Sequence, residues 1–172
     1  MNTVFYIAAA VAVVSTILVI TRSNPVHALL YLIISMLSAA LIFQLLGAPF
    51  AAAMEVIIYA GAIMVLFVFV VMMLNLGPQS MAQENRWLQP RMWRGPAVLA
   101  AILLAELVYM ALSGAKPTIA AAVIGPKAVG VRLFGPYLLG VELASLLLLA
   151  GLVGACHLGR RRFQPPPSRE ES

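Results

Sequence analysis

Aspartate is absent from this chain of 172 residues, cysteine occurs once, and charged side chains make up only 10% of the total. Each shortage closes off a class of protein. An ordinary soluble domain carries roughly 25% charged residues, so this chain has too few to clothe a water-facing exterior. The lone Cys156 can form neither an intrachain disulfide nor a CxxC site, and it reads as a small core filler near the end of the last apolar run. There is no GxGxxG, P-loop, HExxH or cysteine cluster, and no pair of histidines facing each other across spans at matching depth. The chain is therefore expected to hold no electron carrier, cofactor or metal of its own. His27 and His157 have no cysteine or carboxylate at ligand spacing and read as interfacial polar residues.

What remains is apolar. Hydrophobic residues reach 63%, against roughly 45–50% in a soluble domain, and the charges cluster in short segments between apolar runs. This pattern describes an all-α polytopic membrane protein. A bilayer core of about 30 Å needs about 20 helical residues, and five runs suffice: 2–20, 26–46, 51–76, 95–113 and 136–158. Together they make a five-helix transmembrane domain over 1–159, followed by a cytoplasmic tail over 160–172. The first run lacks the positive flank of a secretory signal and reads as a mature helix.

Punctuation supports the boundaries. Pro25, Pro49, Pro96 and Pro136 stand at or just before the starts of spans two to five, and Gly47, Gly77, Gly114 and Gly159 stand just past the ends. Asn24 is a good N-cap for span two. The segment 115–135 is long and fairly apolar for a connector, and is expected to lie against the membrane or a partner.

The net charge of +5 does not point to nucleic acid, because the basic residues form no patch interleaved with aromatics. They mark sides of the membrane instead. With the N-terminus outside, in the periplasm, the inner segments hold Arg22, Arg86, Arg91, Arg94, Arg160, Arg161, Arg162 and Arg169. The outer segments hold Lys116, Lys127 and Arg132. Eight against three favours an outer N-terminus and a cytoplasmic C-terminus. Trp87 and Trp93 then fall at the inner interface, and Tyr6, Tyr109 and Tyr137 near the outer one.

Three glutamates lie within spans: Glu55, Glu106 and Glu142. An ionised acid at mid-bilayer costs about 3 kcal/mol on the insertion scale, so each is a functional candidate by default. Glu55 can also simply reach the interface. Glu142 sits in VELAS, flanked by small residues that suit a packed face. Glu106 is the weakest candidate, in a span otherwise made of Ala, Leu and Val. Gly140, Ala144, Gly151 and Ala155 put small residues on one stripe of span five, which suits close approach of another helix. In span three, Glu55 precedes Tyr59 by four residues and Gly61 interrupts an apolar helix. On residues alone, the plainer reading of Gly61 is close packing in a straight helix.

Three blocks are specific enough to suggest a family: NPVHALLYLIIS at 24–35, EVIIYAGAIMVLFVFVVMMLNLG at 55–77 and KAVGVRLFGPYLLGVELASLLLLAG at 127–151. They resemble the J-subunit family of bacterial proton-translocating NADH:quinone oxidoreductase, respiratory complex I, whose mitochondrial counterpart is the sixth mitochondrially encoded subunit. The resemblance implies a multi-pass subunit of the bacterial inner membrane. It implies as partners the quinone-site subunit, the small three-helix subunit and the antiporter-like subunits, with FMN, iron–sulfur clusters and quinone held elsewhere in the complex. It also implies a π-bulge in span three near Tyr59 and Gly61. One inserted residue turns everything beyond it by about 100°, which would swing Val65, Leu66, Phe67 and Phe69 as a block. The function implied is coupling of quinone reduction to proton translocation, with span three gating a hydrated path that Glu55, Tyr59 and Glu142 help line. A stand-alone small proton or ion transporter, or a purely structural membrane subunit, are the other readings.

Overall fold

A computed structural model describes residues 2–74, 90–113 and 123–160 of the chain. These residues are helical, with no strand among them. Five of the helices are long and apolar enough to cross a membrane. Gly77, Arg86, Trp87, Gly114, Lys116 and the tail beyond Arg160 lie outside the described residues.

Helix α1 (Asn2–Thr21) and α2 (Pro25–Leu45) form an antiparallel hairpin. The turn between them is short because Asn24 caps α2 at once: its Oδ1 accepts from the backbone N–H of Val26 at 2.9 Å and of His27 at 3.4 Å. Pro25 at the first helical position has no N–H to satisfy. The buried face of α2 runs through His27, Tyr31, Ile34, Ser38, Leu41 and Leu45. That alternation of four and three residues is the seam of a knobs-into-holes pair. From α1 it receives Ala8, Val11 and Ser15, all buried, and the small side chains let the backbones approach. Thr16 Oγ1 and Ser35 Oγ share a hydrogen bond at 2.9 Å across the pair. His27 is thus buried at the start of α2 instead of facing the interface as its sequence position suggests.

At the far end of α2 the chain turns through Gly47, whose φ of 82° only glycine adopts without strain. Its carbonyl accepts from the Ile124 N–H at 2.8 Å. The third span follows in three pieces: α3 (Pro49–Met54), a π-helical segment (Glu55–Ile63) and α4 (Met64–Leu74). Helix α5 (Pro90–Ser113) packs on the hairpin and places Leu103 in the core with Ala8, Val11, Tyr31, Ile34 and Leu41. It begins before the position expected from sequence, and Pro96 lies inside it, not at its start. Charge in the segment 91–94 ends the apolar run, but it does not end the helix.

The described residues from Pro126 to Arg160 belong to a separate compact unit. Pro126 opens a short helix, α6 (Pro126–Leu133), within the stretch expected to be connector. Pro136 falls in the following turn, and α7 (Leu138–Gly159) begins two residues later. Gly159 closes α7 as its last helical residue instead of capping it from outside.

Candidate functional site in the third span

Among its described residues the third span has two that are buried, Ala52 and Met64. They stand twelve positions apart, and in an uninterrupted α-helix they would point about 120° away from each other. Absorbing one residue in wider turns reduces that angle to about 20°. Both can then face inward, and both α3 and α4 pack on α2. The π-helical segment therefore keeps one side of a long span in register with the hairpin. Its hydrogen bonding shows the extra residue directly: the Met64 N–H reaches back to the carbonyl of Tyr59, five positions earlier, as well as to Gly61.

Gly61 fits this backbone for a local reason. A Cβ there would sit 3.2 Å from the Val56 carbonyl oxygen, tighter than nine in ten real Cβ contacts, so the backbone would have to give by a few tenths of an ångström. The Val56 carbonyl belongs to the residue five positions back, within the wide turn. The close-packing reading of Gly61 is replaced by one in which the neighbour is the helix's own backbone.

The rest of the site faces outward. Tyr59 is 48% exposed, and Val65, Leu66, Phe67 and Phe69 are all exposed as well. Glu55 is half-buried at the first residue of the π-helical segment. In α-winding Glu55 and Tyr59 would stack on one face, but with i→i+5 bonding the residue above Glu55 shifts toward Ala60. The carboxyl and the phenol share a side of the span without being aligned along its axis.

Glu142 belongs to the second unit, where α7 leaves it exposed, and Ser145 Oγ donates to its main-chain carbonyl at 2.7 Å. Gly140, Ala144, Gly151 and Ala155 lie on the same helix, and a Cβ at Gly140 or Gly151 would meet no atom within 4 Å. The stripe is free to receive a neighbour. Cys156 is exposed, which corrects its reading as core filler. Among the described residues no group of three His, Cys, Asp or Glu side chains could hold a metal ion.

This constellation can be compared with known proteins. The family described as NADH-ubiquinone/plastoquinone oxidoreductase chain 6 matches residues 15–158, nearly the whole membrane domain. The chain belongs to this family. A relative from Pseudomonas aeruginosa named NADH-quinone oxidoreductase subunit J is 61% identical over 162 residues, covering 94% of this chain and 98% of the relative. The subunit J of Escherichia coli strain K12 is 59% identical over 160 residues, covering 93% and 87%. That of Buchnera aphidicola from Acyrthosiphon pisum is 49% identical over 162 residues, covering 94% and 95%. The J-subunit family accounts for the five apolar helices: this is a multi-pass membrane subunit of NADH-quinone oxidoreductase.

One acidic residue that sequence reasoning ranked last stands out in the structure. Glu106 is only 7% exposed, whereas Glu55 is half-buried and Glu142 exposed. The signal was its place on the stripe Leu99, Leu103, Glu106, Met110, spaced four, three and four, of which Leu103 is core and Leu99 and Met110 pack against it. In a helix apolar all round, that stripe is hard to distinguish before the partner helices are known.

Proposed function

We propose that this subunit couples quinone reduction elsewhere in the oxidoreductase to proton translocation, by turning part of its third span beside a hydrated path. The observation that carries the reading is the register of Ala52 and Met64, which depends on one residue of slack held between them. When that slack leaves, each residue beyond the segment takes the place of its successor. Ile63 then occupies the inward site of Met64, and Val65, Leu66 and Phe67 swing by about 100°. Large apolar side chains sweeping past a narrow file of water open or shut it. Within their own compact unit these side chains face outward, which leaves room for other subunits to complete the file.

In this reading Glu55 and Tyr59 line the path where the wide turns begin, and Glu142 supplies a second carboxyl from α7. The partners are the quinone-site subunit, the small three-helix subunit and the antiporter-like subunits, with the small-residue stripe of α7 as one docking face. FMN, iron–sulfur clusters and quinone belong to other subunits. The chain sits in the bacterial inner membrane with its N-terminus in the periplasm and its C-terminus in the cytoplasm, which the excess of Lys and Arg in the inner segments supports.

The test is Gly61→Val in the assembled complex. A β-branched side chain enlarges the 3.2 Å clash with the Val56 carbonyl and favours the plain helix. In sealed inverted vesicles, NADH oxidation and subunit composition by mass should be retained while proton uptake per electron falls. Unchanged uptake per electron defeats the reading, as does ion transport by the purified chain alone.

A further inference from the structure

We propose that Glu106 is a proton-binding site of the membrane domain, set in the α1–α2–α5 interface and separate from the third span. Both of its carboxyl oxygens are shut off from the surface of the chain and find no hydrogen-bond partner among the described residues. A lipid headgroup or a neighbouring subunit therefore cannot reach them from outside. A carboxylate held there would have no donor among the described residues to offset its desolvation.

Ser38 on α2 provides a second, independent sign of a polar site. It is 0% exposed, and its Oγ likewise has no partner. Helices α2 and α5 run in the same direction, because Tyr31 meets Gly95 near their starts and Gln44 and Leu107 line one cavity near their ends. Ser15, Ser38 and Glu106 are all buried with side-chain oxygens that have no partner among the described residues, and unsatisfied polar groups inside a core call for an occupant such as water or a proton. A cleft of about 610 Å³ runs along the α1–α5 seam, with Thr3, Tyr6 and Ile102 among its lining residues. Ile102 is one turn from Glu106, so this seam passes close to the buried carboxyl. When water enters, the Glu106 O–H bond breaks, the proton passes to the water as hydronium, and the electron pair stays on the carboxylate. Closure reverses the step.

Few titratable groups stand on the described helices around it. Helix α1 has only Tyr6 as a titratable side chain, and it points to the surface at 69% exposure. Helix α2 offers only His27 and Tyr31, near its opposite end; α3 has none, and the π-helical segment that continues it carries Glu55, half-buried, and Tyr59, exposed. On α5 itself, Tyr109 is exposed and Arg91 and Arg94 lie at the other end of the helix, twelve or more residues away.

The experiment uses the whole complex in native membranes, with infrared difference spectra recorded between two pH values and between resting and NADH-reduced states. Wild type should show a protonated-carboxyl C=O band that shifts in D₂O and is lost in Glu106→Gln. In Glu106→Asp, which retains a carboxyl in a shorter arm, the band should move. A Glu106→Gln spectrum that retains the band overturns the proposal. If Glu106→Gln does not assemble, an unmoved band in Glu106→Asp overturns it equally. The reading of the third span is tested by a different variant and by proton uptake, so either proposal can fail without the other.

Discussion

Gly95 on α5 faces the buried ring of Tyr31 on α2, and a methyl group at that glycine would land on the Tyr31 hydroxyl. The ring cannot easily move away. It is 4% exposed, it belongs to the central cluster, and the Arg22 guanidinium lies 5.8 Å from its centroid. Gly95→Ala must therefore displace α5 or force Tyr31 off its rotamer, an overpacking cost of about 1–3 kcal/mol. Removing the hydroxyl changes the arithmetic, because the next ring atom, Cζ, lies 3.3 Å from the added carbon and requires a shift of only a few tenths of an ångström. Tyr31→Phe should thus recover most of the loss, with a coupling of about 1–2 kcal/mol in the double-mutant cycle. The assay is heat-induced loss of a tagged subunit from the solubilised complex, followed on native gels for wild type, both single variants and the double variant. If the two substitutions simply add, the contact is not what sets the spacing of α2 and α5, and the reasoning fails.

Two further outcomes follow from the hairpin. Asn24→Ala removes the acceptor for the Val26 and His27 amides and should cost about 1 kcal/mol, read as lower heat resistance of the same complex. Thr16→Val deletes the bond to Ser35 but leaves the Ser35 hydroxyl the Ala12 carbonyl at 3.4 Å, so the loss should be near the membrane average of about 0.6 kcal/mol. A larger loss in the same assay would show that Ser35 is not re-satisfied.

The spans were legible because hydropathy reports where a helix can sit in lipid. It does not report where the helix stops, and so Pro96 looked like an opening when the chain was already helical from Pro90. Asn24 and Gly47 were read correctly, since a side-chain cap and a positive φ are local chemistry. Glu106 was undervalued because its burial depends on which face of α5 meets the hairpin, information held by α1 and α2. The importance of Gly61 came from resemblance; its physical cause, the carbonyl of Val56, became visible only with the backbone. Cys156 and the small stripe show the opposite limit, for small size suits equally a packed core and a surface awaiting a neighbour.

Burial is unevenly shared among the spans: 44% of the most apolar window of α2 is buried, and only 6% of that in the third span. In the function proposed above, rotor and stator are thereby kept apart. Sequence change in the hairpin should be felt as fragility, whereas change in the third span can accumulate without loosening the scaffold and be felt only as slippage between electron flow and the gradient it builds.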